Sequence, residues 1–390
     1  MTVPMILPGK TIGILGGGQL GRMFAIAARK MGYRVHAFDP TPDCPTGQVA
    51  DLEINAPYDD LEAATRFAQN VDVVTFEFEN VPAQTLQLIE RLKPVHPSPF
   101  VLDTTRHRLK EKNFLSSHGF PVAPYRAVED LQQLVQAVSE LKTPCILKTA
   151  EFGYDGKGQF KIQNPQQARP AWETLNCSLA VLEGFIPFEH EISVIVARNQ
   201  KHEVRTFPIF HNTHVNHILD LTISSPDPLP DLPVRVQQQA LELGIEIARQ
   251  IDLIGVLCVE MFTVGNQVIV NELAPRPHNS GHLTFDACIT SQFEQQLRAV
   301  CNLPLGETTL LRPAAMANLL GDIWLQAPEH QPRWHQALTD PTIKLHLYGK
   351  THPQKGRKMG HLTATASTPH EARDRVLRAR GALTSISCSL

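Results

Sequence analysis

The chain has 390 residues, 42% of them hydrophobic and 19% charged, with a formal net charge of −3. Its length predicts two to four domains, and its near-neutral balance argues against nucleic acid or an anionic membrane as the main partner. No apolar run reaches the ~20 residues of a membrane span. Residues Met1–Leu7 lack the charged and apolar regions of a signal peptide. The seven scattered cysteines, with no Cys-x-x-Cys pair, fit reduced thiols in the cytosol rather than a disulfide frame or a zinc site.

In chain order, Thr11–Leu15 reads as a strand, Gln19–Met31 as a helix, Arg34–Phe38 as a strand and Leu61–Ala68 as a helix. Val71–Phe78 follows as a strand and Thr85–Leu92 as a helix. This alternation predicts a parallel sheet with helices on both faces, and the proline-rich stretch 93–99, KPVHPSP, reads as its exit. Arg106–Leu115 is a charged helix, Leu131–Leu141 a second helix and Cys145–Lys148 a short buried strand. A glycine-rich hairpin at 153–158 leads into Gln159–Ile162. Glu191–Ala197 and Glu203–Ile209 pair as strands, Val234–Ile251 is a long helix, and Val256–Val264 with Gln267–Glu272 form a hairpin. Beyond residue 310, short strands mix with helices.

Four stretches carry chemistry. In GILGGGQLGRM, the glycines at 16, 18 and 21 fit a dinucleotide fingerprint, and Asp39 follows about twenty residues on, as a ribose-binding acid would. Three readings stay open: a dinucleotide site, a loop that only packs helix on strand, or a cradle for a nucleotide monophosphate. In PCILKTAEFGYDGKGQF, Lys148 ends a strand and Gly153-Tyr-Asp-Gly-Lys-Gly offers backbone donors and Lys157, which suits a triphosphate, although the Walker A spacing is absent. In VLCVEMFTVGNQVIVNELAPRPHNSGH, Glu260 and Glu272 stand in apolar strands. A hard cation between them would resolve the cost of burying two carboxylates. A two-residue Gly265-Asn266 turn would pair Glu260 with Asn271 and turn Glu272 to the other face, so a shared metal requires a three- or five-residue loop. Arg276, with Lys350, Arg357 and Lys358 of YGKTHPQKGRKMGH, could hold a phosphorylated substrate.

Together these motifs resemble the ATP-grasp superfamily and, within it, the 5-(carboxyamino)imidazole ribonucleotide synthase family of purine biosynthesis. The likeness runs nearly end to end, from GILGGGQLGRM through FEFENV, GYDGKG and NELAPRPHNSGH to GRKMGH. It implies an α/β and α+β fold: an N-terminal Rossmann-like unit (1–104), a small ATP-grasp subdomain with a mobile glycine lid (105–185), a large ATP-grasp subdomain with the metal site (186–310) and a mixed C-terminal extension (311–390). It also implies a cytoplasmic homodimer that uses ATP and magnesium to join bicarbonate to the exocyclic amine of aminoimidazole ribonucleotide. In that family ATP phosphorylates bicarbonate, and carboxyphosphate, or carbon dioxide released from it, carboxylates the amine.

Carried over by that likeness, Arg108, Lys148 and the lid from Gly153 through Tyr154, Asp155, Gly156, Lys157 and Gly158 to Gln159 would contact the nucleotide phosphates. Glu183-Gly184-Phe185-Ile186 would read adenine through the backbone, with Glu191 on the ribose, His214 nearby, and Asn271 beside the magnesium ligands Glu260 and Glu272. Arg276, His278, Asn279, Lys350, Arg357 and Lys358 would surround the imidazole ribonucleotide and carboxyphosphate. Arg276 and Lys358 would act in catalysis, and Tyr154 and Asp155 would face the reacting amine, Asp155 positioning it or taking its proton. The Gly16–Gly21 loop, with Gln19 and Leu20, would line the ribose-phosphate pocket and bind no dinucleotide, leaving Asp39 to cap a loop. Two departures stand out. Ala150-Glu-Phe replaces the usual glycine and basic residue before the lid, and His217-Ile-Leu replaces the usual Gly-Ile-Leu. Another ATP-grasp ligase, formate-dependent or biotin-carboxylase-like, is the alternative. An NAD-dependent oxidoreductase would rest on the first loop and Asp39 alone.

Overall fold

A computed structural model describes residues 4–151 and 157–384. The lid residues Gly153, Tyr154, Asp155 and Gly156 therefore lie outside the described residues. Strands β1 (Thr11–Leu15), β2 (Arg34–Asp39), β3 (Leu52–Asn55) and β4 (Val73–Phe76) form a fully parallel sheet in the order β3-β2-β1-β4. β4 is shorter than the apolar run suggests because the N–H groups of Glu77 and Phe78 both turn back to Leu15 O, at 2.9 and 3.4 Å. β3 escapes sequence reading because its LEIN segment is half-exposed and lacks apolar alternation. Helix Gln19–Lys30 packs Met23 and Phe24 against Ile12 and Ile14 on one side and Phe293 and Leu297 of helix Gln292–Val300 on the other. One apolar core thus joins the parallel sheet to the rest of the chain.

The glycine loop closes on two acids. Asp39 accepts from Gly17 N–H (2.7 Å), Thr41 N–H (2.8 Å) and Tyr58 O–H (2.7 Å). Glu77 accepts from the N–H groups of Gly18, Leu20 and Gly21 at 2.6, 3.2 and 3.3 Å. A helix N-terminus favours an anion through its free amides and dipole, and here a side chain of the same protein supplies it. Only glycine fits at 17, where a Cβ would lie 2.4 Å from Cys44 Sγ. These amides are engaged where a cofactor pyrophosphate would need them, so Asp39 serves the loop rather than a ribose.

Strands β5 (Tyr125–Val128), β6 (Cys145–Thr149), β7 (Gln159–Ile162) and β8 (Ala180–Gly184) form a small antiparallel sheet, ordered β5-β8-β6-β7. Helices Leu131–Leu141 and Ala168–Leu175 bury Leu134, Val138 and Ala171 against it. The remaining strands are β9 (His190–Arg198), β10 (Val204–Thr206), β11 (Phe210–Val215), β12 (Ile218–Ser224), β13 (Gly255–Val264), β14 (Gln267–Ala274), β15 (Ala314–Leu320), β16 (Lys344–Leu347) and β17 (Lys358–Thr365). They make one sheet, β14-β13-β9-β11-β12-β15-β17-β16, with β10 paired to β9. The C-terminal strands therefore continue the sheet that bears Glu260 and Glu272, which brings Lys358 at the head of β17 toward the same cleft. No helix among the described residues is long and apolar enough to cross a membrane.

Replacing Asp39 with alanine leaves the Gly17 and Thr41 amides without their acceptor. The variant is expected to lose about 2 kcal/mol of unfolding free energy in urea titration while its KM for ATP stays unchanged.

Candidate active site

The hairpin that carries the two glutamates departs from the sequence expectation in an instructive way. Its turn is two residues, Gly265-Asn266, with Val264 opposite Gln267 and Met261 opposite Val270. Continued, that register would set Glu260 against Asn271. Instead the ladder shifts between Glu260 and Met261, so that Glu260 faces Glu272 and Val259 faces Leu273. The expected three- or five-residue loop is therefore wrong. The odd residue sits in the strand, as a β-bulge at Asn271, and has the same effect on facing as an odd loop.

The bulge is clamped from behind by helix Arg108–Ser117. Lys112 Nζ donates to Asn271 O at 2.9 Å, and Glu111 Oε1 accepts from Leu273 N–H at 2.6 Å. Both side chains are about 1% exposed. Lys112 also lies 3.6 Å from Glu183 Oε1, while Lys148 Nζ binds Glu183 Oε2 at 2.8 Å. Burial works against ionisation of Glu183, but Lys148 and Lys112 overcome it and hold its carboxyl at about 2. Glu111, enclosed and close to Glu272, is pushed well above the usual carboxylate range. Sequence reasoning saw only a charged helix here. The available signal was that Glu111 and Lys112 lie four and three residues before buried Leu115, on its inward face.

Glu272 is open to the cleft yet ringed by charge. Enclosure and the carboxylates of Glu260 and Glu79 push it up against the pull of Arg108 and Lys148. Glu260 goes the other way. Enclosure opposes its ionisation, but His278, His214 and Lys358 hold it well below the usual range. His278 Nε2 stands 3.0 Å from Glu260 Oε1, and Cys258 with Glu260 raises its pKa to about 10 despite burial. Two carboxylates that face each other across a ribbon, repel each other and meet the cleft form a donor set that suits a hard divalent cation.

The surrounding cations come from four separate segments. Arg276 Nε pairs with Glu79 Oε1 at 2.6 Å, tying FEFENV to NELAPRP. Asn279 is 6% exposed and, among the described residues, neither its Oδ1 nor its Nδ2 has a hydrogen-bond partner, so its amide is set to meet a ligand. His278 bonds Ser280 Oγ through Nδ1 at 2.9 Å, and Gln292 pins its backbone at 2.8 and 2.7 Å. Lys350 Nζ donates to Lys358 O at 2.8 Å, and Arg357 Nη1 to His352 O at 2.7 Å. Glu77 and Glu79, quoted in the motif but given no role, are the acids that sequence reasoning missed. Gln19 and Leu20 flank the acid-filled loop, with the Leu20 N–H directed at Glu77 rather than into the open cleft.

At the small sheet, Arg108 Nη1 donates to Thr149 O at 3.0 Å, next to Lys148 on β6. Beyond the lid, Thr149 N–H donates to Gly158 O at 2.9 Å and Lys157 is exposed. Gln159 Nε2 meets His217 Nδ1 at 3.4 Å. His217 has φ +66°, a left-handed turn position that glycine adopts without strain. His214 Nδ1 and Glu191 Oε2 share a hydrogen bond at 2.5 Å. The Glu183 side chain is spent on the two lysines. The Gly184 and Phe185 N–H groups donate to Pro124 O and Pro144 O, at 2.8 and 3.2 Å.

This geometry, two facing glutamates between a glycine-hairpin sheet and a large antiparallel sheet, defines an ATP-grasp protein. Family models agree: a ribonucleotide synthetase preATP-grasp domain matches residues 9–106, an ATP-grasp domain 113–293, and a phosphoribosylaminoimidazole carboxylase C-terminal domain 314–375. The N5-carboxyaminoimidazole ribonucleotide synthase of Bacillus subtilis (strain 168) is 46% identical over 368 residues, covering 93% of each chain. A crystal structure of an N5-carboxyaminoimidazole ribonucleotide synthetase with ADP is similar at TM-score 0.90 and 44% identity, covering 97% of this chain and 98% of that one. The Aspergillus clavatus synthase in complex with ADP and 5-aminoimidazole ribonucleotide is similar at TM-score 0.87 and 30% identity, covering 97% and 99%. The chain belongs to the N5-carboxyaminoimidazole ribonucleotide synthase family.

Lys112→Met leaves the Asn271 carbonyl and half of Glu183 without a partner. It is expected to cost about 3 kcal/mol in urea unfolding and to lower turnover, since the register that makes Glu272 face Glu260 loses its clamp. The Glu183 carboxyl, lowered from ~4.3 to about 2, contributes stability that is complete above the unfolded value and lost as pH falls toward the folded one. The stability gap between the native protein and Glu183→Gln should therefore be flat above pH ~5 and shrink between pH ~5 and ~2, measured by denaturant titration at each pH.

Proposed function

We propose that the protein forms N5-carboxyaminoimidazole ribonucleotide from 5-aminoimidazole ribonucleotide, bicarbonate and ATP, in purine biosynthesis. ATP transfers its terminal phosphoryl group to a bicarbonate oxygen, giving ADP and carboxyphosphate. The exocyclic amine takes up the carboxyl carbon, directly or from released carbon dioxide, and phosphate leaves. The observation that carries this reading is the facing of Glu260 and Glu272 at a point where cations of β6, the 276–279 loop and β17 converge. The end-to-end likeness to synthases of this reaction supplies the substrates.

In this reading Glu260 and Glu272 hold magnesium, with Asn271 beside them, and the ion when bound offsets charge on the phosphate oxygens. Arg108, Lys148 and Lys157 draw the triphosphate to the open side of the small sheet. Glu191 and His214 stand at the ribose, with the 183–186 linker at adenine. Arg276, His278, Asn279, Lys350, Arg357 and Lys358 hold the ribonucleotide and the carboxyl donor. Arg276 and Lys358 stabilise the anionic reacting groups. Tyr154 and Asp155 face the amine, and the lid excludes the water that would destroy carboxyphosphate. A cytoplasmic homodimer is part of the same reading.

Phosphate release should require both bicarbonate and 5-aminoimidazole ribonucleotide for tight coupling, and formate or biotin should not replace them. Release with formate alone would identify a different ligase. Glu272→Gln is expected to lower turnover by roughly 100-fold or more with an unchanged unfolding midpoint. Near-native turnover would remove Glu272 from the metal site.

A further inference from the structure

We propose that Asp286, His346 and His361 form a second metal site, for a divalent transition ion such as Zn2+, apart from the Glu260–Glu272 pair. His346 on β16 and His361 on β17 are direct cross-strand partners, so both imidazoles project from one face of the sheet. Their rings are stacked, 4.6 Å apart and 11° from parallel, so the part-exposed His346 ring would turn about its Cβ–Cγ bond to bring both in-plane lone pairs to one ion. Asp286, on the short helix Thr284–Ala287, places Oδ2 2.8 Å from His346 Nε2. One donor atom from each of the three lies within 4.8 Å of the other two.

The second, independent observation is an orphaned nitrogen. His361 is fully buried, and its Nε2 has no hydrogen-bond partner among the described residues. Its other nitrogen, Nδ1, bonds Tyr348 O–H at 2.8 Å, the kind of outer hydrogen bond that orients a ligating imidazole. His282, equally buried, lies 5.1 Å from His361 with its ring tilted by 44°. The Asp286 and His346 side chains are 14% and 22% exposed, so the site can be reached from solvent. Two imidazoles and one carboxylate suit zinc-like ions over magnesium or calcium, and three protein ligands leave a fourth position for water.

A bound ion would replace the proton shared between Asp286 and His346 and leave the Tyr348–His361 bond in place. It would tie the β16–β17 hairpin, whose flanks carry Lys350 and Lys358, to the segment that follows Arg276 and His278.

The test uses the full chain, stripped with chelator and titrated with Zn2+ and Cu2+. The site predicts one tightly bound equivalent, a melting temperature raised by roughly 4 °C or more at ~100-fold excess over Kd, and nitrogen couplings from two imidazoles in the Cu2+ paramagnetic resonance spectrum. His346→Gln and Asp286→Asn, at part-exposed positions, should each weaken binding at least tenfold, and Tyr348→Phe by about tenfold. Absence of imidazole coupling overturns the proposal, as does a zinc shift that survives His346→Gln with Asp286→Asn. A zinc shift abolished by Glu272→Gln but not by His346→Gln would place the ion on the acidic pair and likewise overturn it.

Discussion

Everything at the cleft depends on one extra residue in one strand. Without the bulge at Asn271, the tight Gly265-Asn266 turn would turn Glu272 away from Glu260. A bulge spends an unpaired residue and bends the strand, so something must hold it. Here the holders are a buried lysine on the Asn271 carbonyl and a buried glutamate on the Leu273 amide. Burying two charged groups is costly unless each is paired. Lys112 is paired by Glu183, and Glu183 in turn by Lys148. The chain of contacts that fixes the facing of Glu272 therefore passes through Lys148, the strand lysine that the proposed function gives to the nucleotide. The acidic pair and the strand lysine are two ends of one buried network.

Much of this was legible in the sequence, and the limits have physical causes. The parallel unit showed itself because its strands are buried on both faces and its helices have clear apolar stripes. The paired glutamates showed themselves because acids are rare in apolar strands. Their facing could not be read, because a bulge leaves no mark in hydrophobic alternation when the inserted residue is itself polar, as Asn271 is. β3 and β5 are short edge strands with half-exposed residues, which periodicity detects poorly. Glu111 and Lys112 hid in plain view, since a charged pair on a helix is usually solvated. Asp39 was the reverse case: the fingerprint suggested a ribose partner, and the structure gives it to Gly17, Thr41 and Tyr58.

The glycine loop shows how one local geometry serves different ends. Tight glycine turns and a free helix N-terminus attract anions whatever their source. In this chain the anions are internal. Asp39 takes the first amide and Glu77 takes the next three. Glu77 leaves β4 two residues before Glu79, which holds Arg276. The same FEFENV segment thus closes the loop and orients an arginine at the cleft, linking the parallel sheet to the reactive centre.

The same economy governs charge across the cleft. Three acids at the cleft already have a cation from another segment: Glu79 with Arg276, Glu260 with His278, Glu183 with Lys148. Those pairs spare part of the cost of unpaired charge, while Glu272 is left facing Glu260. On the proposed reading, a divalent ion would enter with polyanionic phosphates and offset part of their charge. Binding would then be an exchange of partners, in which Glu260 could turn from His278 to the ion and Arg276 from Glu79 to an anionic oxygen. Such an exchange would complete only with metal and anions both present, because either alone would leave one set of charges unmatched. That requirement would couple occupancy of the acidic pair to occupancy of the surrounding cations, a physical reason for the reactive arrangement to assemble only with all substrates in place.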